Sequence, residues 1–257
     1  MTGTLYLMPN TLDFGVVPLD AGAGGMPDLQ EVLPLGVIRI AARLPCWVAE
    51  NAKTTRTFLK RVNKIVPLSQ PLQSITIVEL PRANKGAAAS QPPRLDALLA
   101  PALSGKDLGL ISEAGLPAVA DPGAALVHAA HALKLRVEPL SGPSSLMLAL
   151  AASGLNGQSF AFVGYLPIDA AARVARIREL EALSRRAQQT QLMIETPYRN
   201  AALLGALLGA LSGGTHLSVS CGLTLAPGWN RSDTVTDWKA APASIPNDTP
   251  AVFCLLA

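Results

Sequence analysis

The sequence predicts an α/β fold made of two α/β domains in succession. Three observations predict it. Short, β-branched apolar runs alternate with helical stretches, sharp Gly/Pro turns follow several of those runs directly, and a turn-rich segment between Ser141 and Gly157 interrupts the alternation. The alternation is the pattern of largely parallel sheets, and the interruption sets the expected domains at 1–142 and 143–257.

Taken in order, Thr4 to Met8 reads as a strand closed by Pro9, and Gly36 to Ile40 and Cys46 to Ala49 read as further strands. Ala52 to Val62 reads as a helix with Phe58, Leu59 and Val62 on one face. Ser74 to Leu80 and Gly109 to Ile111 are strands, Ala124 to Leu133 a helix, Arg136 to Leu140 a strand, and Ser144 to Ala152 a helix. In the second half, Ser159 to Val163 and Gln191 to Ile194 are strands. The charged helix Ala170 to Ala187 lies between them, with Ile177, Leu180 and Leu183 on its apolar face. Asn200 is the expected N-cap of an apolar helix from Ala201 to Leu211, and His216 to Cys221 and Pro250 to Leu256 are the last strands. Residues 83–93 read as a loop rich in Ala, Ser, Gly and Pro.

Composition narrows the class. The chain has 257 residues, 49% apolar and 15% charged, with a formal net charge of +3, which excludes a disordered chain. Cys46, Cys221 and Cys254 are too few and too scattered for a disulfide framework, and no C-x-x-C is present, so a reduced, cytoplasmic setting is expected. Mean hydropathy is +0.32, yet the longest apolar runs fall short of the ~20 residues that cross a bilayer. The first ten residues lack the pattern of a signal peptide. No membrane association is expected.

Familiar catalytic motifs are missing. There is no G-x-x-x-x-G-K-[ST], no H-E-x-x-H and no G-x-S-x-G, and Gly22 to Gly25 lacks the spacing of a phosphate loop. His128 and His131 share a helix face without carboxylates to complete a metal site, so no metal is expected. What stands out is three turns at strand ends: Ser112 to Pro117, Ser141 to Ser145, and Glu195 to Arg199. In open α/β sheets, ligands bind outside the carboxyl ends of strands, where backbone can come close.

These same segments carry a family resemblance. LYLMP near the start, ISEAGLPAVADPGAALV, VEPLSGPSSLMLALAASGLNGQSFAFVGYLP and ETPYRN, in that order, resemble the tetrapyrrole-methylase superfamily of S-adenosylmethionine (SAM) methyltransferases. The nearest branch resembles the 16S ribosomal RNA 2′-O-ribose methyltransferases and their uncharacterised relatives. The resemblance implies two α/β domains with SAM in the cleft between them, and a homodimer. It implies a cofactor pocket built from Met8, Pro9, Glu113, Ala114, Gly115, Leu116, Pro117 and Val119, with Ser144 and Ser145, then Thr196 and Pro197, and Cys221 near the adenine. Such a pocket suits a neutral adenine and a zwitterionic tail, because backbone groups and hydroxyls suffice.

A ribose hydroxyl is a poor nucleophile when neutral, so Glu50 and Glu195, with Arg199 and Tyr198 close by, are candidate catalytic bases or orienters. The chain departs from the ribosomal branch in three places. A Gly-Asn turn is replaced by Pro9 to Asp13, E-D-T-R by Glu50-Asn51-Ala52-Lys53, and R-E-L-T-K by Cys221 to Leu225. Lys53, Arg56, Lys60, Arg61 and Lys64 form one basic run, and Arg173, Arg176, Arg178, Arg185 and Arg186 another, interleaved with Glu179 and Glu181. Each is a candidate RNA contact or a solvated helix face. The leading expectation is methylation of small-subunit ribosomal RNA. The alternatives are a small-molecule acceptor such as a tetrapyrrole, and a SAM-binding protein without catalysis.

Overall fold

The computed structural model describes residues 2–13, 28–81 and 95–257. The Gly22 to Gly25 cluster and the 83–93 loop lie outside the described residues. The chain divides into two compact units, Met1–Pro143 and Ser144–Ala257.

In the first unit, five strands form one sheet in the order β3-β2-β4-β1-β5: β1 Thr4–Met8, β2 Cys46–Ala49, β3 Thr76–Glu79, β4 Leu108–Ile111 and β5 Arg136–Pro139. All four pairings are parallel. Parallel sheets need cover on both faces, and the alternation of side chains supplies two apolar surfaces. Tyr6, Met8, Trp47, Ala49 and Ile111 face helices α2 (Leu35–Arg43) and α3 (Ala52–Ile65), together with Leu29 of the short helix α1 (Leu29–Val32). Leu5, Cys46, Val48, Leu108 and Leu110 face α4 (Leu95–Leu103) and α5 (Ala124–Ala132).

The strand expected at Gly36 to Ile40 is the middle of α2. Its β-branched residues suggested a strand, but Pro34 sets up a helix start, and Val37, Ile38, Ala41 and Ala42 are buried at the spacing of one helical face.

In the second unit the sheet order is β6-β7-β10-β8-β9: β6 Phe160–Tyr165, β7 Thr190–Ile194, β8 His216–Cys221, β9 Trp229–Thr234 and β10 Ala251–Leu256. Here the expected largely parallel sheet is corrected. Only β6–β7 is parallel, while β7–β10, β10–β8 and β8–β9 are antiparallel. Met193, Leu217, Val219, Phe253 and Leu255 pack against α7 (Ala170–Ala187), α8 (Asn200–Ala210) and α9 (Val235–Ala240). Leu192, Val252 and Cys254, on the other face, pack against α6 (Ser145–Ser153). Asn200 is the first residue of α8 rather than its cap, because a 3₁₀ turn over Pro197–Arg199 leads directly into the helix. Leu183 is only half-buried on α7, where Ser184 takes the inward position beside Ile177 and Leu180. Among the described residues, no helix is long and apolar enough to cross a membrane.

Candidate functional site

With every strand of the first unit pointing the same way, the carboxyl ends of β1, β2, β4 and β5 share one edge. Met8 ends β1 and is fully buried. Asn10 then clasps the loop that leaves β4. Its N–H donates to the Gly115 carbonyl at 2.8 Å, and the Gly115 N–H donates back to the Asn10 carbonyl at 3.2 Å. Its side-chain Nδ2 donates to the carbonyls of Ser112 at 3.2 Å and Glu113 at 3.0 Å. Gly115 sits at φ +69°, in the left-handed region that glycine adopts freely.

Glu50, the residue after β2, makes a second clasp. Its Oε2 accepts the Glu113 N–H at 3.0 Å, and its own N–H donates to the Ile111 carbonyl at 3.0 Å. A third contact comes from the segment after β5, which crosses Pro9 so closely that a Cβ at Gly142 would lie 2.2 Å from the Pro9 Cβ. Asp121 completes the edge. Burial, then the charges of Glu50 and Glu113, push its carboxyl up to about 6, against the pull of a hydrogen bond from Ser112. Just past the clasp, Arg61 forks onto the buried Asp13, Nη2 to Oδ2 at 2.9 Å and Nη1 to Oδ1 at 3.3 Å, while Thr11 donates its hydroxyl to the same carboxylate.

In the second unit, Ser144 occupies the N-cap of α6, where its carbonyl accepts the Leu148 N–H at 3.0 Å but its hydroxyl makes no capping bond. Ser145 is the first residue of the helix. Because β7 and β8 both run antiparallel to β10, their carboxyl ends meet at its start. The Gly222 N–H donates to Pro250 at 2.9 Å and Asn200 Nδ2 to Thr249 at 3.0 Å, tying both ends to that strand. Glu195 is buried here. Its Oε1 accepts the Thr196 N–H at 2.8 Å, and its Oε2 lies 2.9 Å from Arg199 Nη2 in an ion pair without hydrogen-bond alignment. Cys221 ends β8; burial, and then Asp248, raise its thiol above the usual range, so it stands as a neutral, apolar surface.

The expected residues thus fall into separate groups. Met8, Pro9, Glu50 and Glu113 to Pro117 are gathered on the first sheet's edge, with Val119 exposed beyond them. Glu195, Thr196, Pro197, Arg199 and Cys221 share an edge of the second sheet, and Ser144 and Ser145 open α6. Neither glutamate carboxylate stands free, since each holds a backbone N–H. Asn10 and Asp121 were missed by sequence reasoning. A polar residue directly after a strand-closing proline, and the Asp-Pro-Gly following the Ser112 to Pro117 turn, were the available signals. Among the described residues, no group of three or more His, Cys, Asp or Glu could hold a metal ion.

The fold is similar to that of tetrapyrrole methyltransferases of known structure. A uroporphyrin-III C-methyltransferase from Thermus thermophilus aligns over 99% of this chain and 94% of its own, with a TM-score of 0.51 and 16% identity. A cobalt precorrin-4 methyltransferase, a cobalamin biosynthetic enzyme, aligns over 98% and 94%, with a TM-score of 0.55 and 13% identity. At those identities the likeness is one of fold.

Sequence similarity leads to a more particular group. The chain is 39% identical over 127 residues to a ribosomal RNA small subunit methyltransferase I of Mesorhizobium japonicum, covering 49% of this chain and 42% of that protein. It is 37% identical over 122 residues to the protein of that name from Vibrio cholerae, covering 48% and 41%. The matches thus span less than half of these curated relatives. No family model matches the chain.

Proposed function

We propose that the chain is a SAM-dependent methyltransferase acting on a ribose 2′-hydroxyl of small-subunit ribosomal RNA, and that it works in the cytoplasm as a homodimer. The observation that supports this most is the Ser112–Pro117 loop. Asn10 and Glu50 clasp it through its backbone at the sheet edge where open α/β folds receive ligands, in a chain similar to proteins named for ribosomal RNA methylation.

The residues suit a sulfonium nucleoside. The edge carries the interacting carboxylates Glu50, Glu113 and Asp121, and the loop contains no Lys or Arg, so a cationic sulfonium and an ammonium meet favourable potential. Met8, Pro9, Glu113, Ala114, Gly115, Leu116, Pro117 and Val119 would hold the cofactor from the first unit. Ser144, whose hydroxyl makes no capping bond, Ser145, Thr196, Pro197 and Cys221 are the proposed cofactor contacts of the second unit. Bound SAM supplies an electrophilic methyl group, and the chain's work is alignment. Glu50 acts as a positioning group by fixing the Glu113 N–H, and Glu195 with Arg199 fixes the turn that presents Thr196 and Pro197.

The test is transfer of labelled methyl from SAM to small-subunit RNA, followed by nuclease digestion. Label recovered as a 2′-O-methylnucleoside is the expected result. Label confined to a base, or found on a tetrapyrrole and not on RNA, would overturn the assignment.

A further inference from the structure

The exposed face of α3 carries cations that no acid among the described residues pairs with. Lys53, Arg56, Lys60 and Lys64 recur at intervals of three, four and four residues, which sets them within about a quarter of the helix circumference. They lie opposite the buried Thr55, Phe58, Leu59 and Val62, and all four are solvent-exposed. The helix contains no Asp or Glu, and among the described residues none of the four is in an ion pair. Arg61, on the flank of the row, is the exception, being bound to Asp13.

Helix α7 shows the alternative arrangement. Two of its five arginines pair with acids of the same helix, Arg176 with Glu179 at 2.7 Å and Arg185 with Glu181 at 3.9 Å. Like charges three and four residues apart work against a helix, so the α3 row lowers its own element's stability.

A second feature adjoins the row. Lys60 and Asn63, with Leu68 to Gln73, line an open groove of about 530 Å³. Four of these residues, Asn63, Ser69, Gln70 and Gln73, bear neutral hydrogen-bonding side chains, and Lys60 belongs to both the groove and the row.

We propose that this face is the docking surface for the RNA acceptor, the α3 row taking consecutive backbone phosphates and the groove receiving a nucleoside of the same strand. This deepens the proposed function and rests on it. An uncompensated linear row of cations is complementary to a polyanion of regular charge spacing, and neutral amides beside it suit base and sugar edges better than a second charged surface would.

The test compares the wild-type chain with the quadruple variant K53Q/R56Q/K60Q/K64Q, measuring binding of a small-subunit ribosomal RNA transcript across a salt series. The proposal predicts at least ~10-fold weaker binding for the variant near physiological salt. It also predicts that the slope of log affinity against log salt becomes shallower by ~0.7 for each phosphate the variant no longer neutralises. SAM affinity and the circular dichroism spectrum stay as in the wild type, since every substituted side chain is exposed. A variant with wild-type affinity and slope, while the wild type binds and methylates the RNA, would overturn the docking surface alone. A wild-type chain that binds SAM yet neither binds nor methylates the RNA would overturn the RNA reading with it. Unchanged RNA binding, together with abolished binding to phosphatidylserine vesicles, would overturn the proposal in favour of a membrane surface.

Discussion

The two sheets of this protein place their loops by different means. In the first, parallel pairing sends the ends of β1, β2, β4 and β5 to one edge, where main-chain contacts from Asn10 and a carboxylate from Glu50 fix the loop after β4. In the second, the ends of β6, β7 and β8 come to the start of β10, where Gly222 and Asn200 tie β8 and β7 to that strand and the Glu195–Arg199 ion pair fixes one short turn. A parallel edge collects many chain segments, so it can be organised by backbone. An edge with fewer segments needs a strong local contact. The difference predicts that lesions in the second unit fall first on stability and reach ligand binding through the Thr196–Pro197 turn, while those in the first fall mainly on ligand binding.

The largest effect is expected at Trp238, fully buried in the second unit, with its indole N–H donating to Leu217 at 2.7 Å and the Arg231 guanidinium 4.0 Å from its ring. Trp238→Ala should lower unfolding free energy by ~3–5 kcal/mol in a denaturant titration. Glu195→Gln comes next. It leaves the Arg199 guanidinium without its countercharge and should cost ~2–3 kcal/mol, below the figure for a fully buried pair because Arg199 keeps some solvent. Gly142→Ala forces a methyl against Pro9 and should cost ~1–3 kcal/mol, with SAM affinity falling more than tenfold because the first strand's turn must shift. If Gly142→Ala leaves SAM binding intact while Glu195→Gln abolishes it in a folded protein, the contrast between the units is reversed.

Much of the fold was legible because local signals agreed with tertiary demands. β1 was readable from an apolar run ended by Pro9, and α7 from the helical spacing of Ile177 and Leu180, which the structure buries. α2 was misread because Val37, Ile38 and Ile40 favour strands in isolation and only the packing against α3 exposes the helical face. β9 was invisible, since WNRSDT is polar and becomes a strand by pairing with β8 at the sheet's edge. The site turns were legible as turns. Their clasps were not, because Asn10 meets Ser112 and Glu113 across 102 and 103 residues of sequence. The roles of Glu50 and Glu195 as braces of backbone N–H groups likewise depend on partners that spacing does not reveal.

The smallest effects concern charge on the first edge. Removing the Glu50 charge with Glu50→Gln should bring the Asp121 pKa down from about 6, readable by carboxyl NMR titration, because Glu50 is one of the groups raising it. The linkage has a definite sign. The raised carboxyl keeps its proton in the folded protein after the unfolded chain has released its own, so the contribution of Asp121 to stability should fall as pH rises from about 4 to about 6. Asp121→Asn should flatten that dependence and leave the protein slightly more stable at pH 7. A stability difference between Asp121→Asn and the wild type that does not grow as pH rises through this window would show that the folded protein does not raise the Asp121 carboxyl.

If the backbone-clasped edge of the first unit is the cofactor site, calorimetric titration with SAM will show it. Binding is expected in the ~1–100 μM range for the wild type, worth about 5 to 8 kcal/mol. ATP should not bind, and Glu50→Ala, which removes the acceptor for the Glu113 N–H, should weaken SAM binding at least tenfold. A folded wild-type chain that binds no SAM, or a Glu50→Ala variant that binds it as tightly as the wild type, would contradict the placement of the cofactor on this edge.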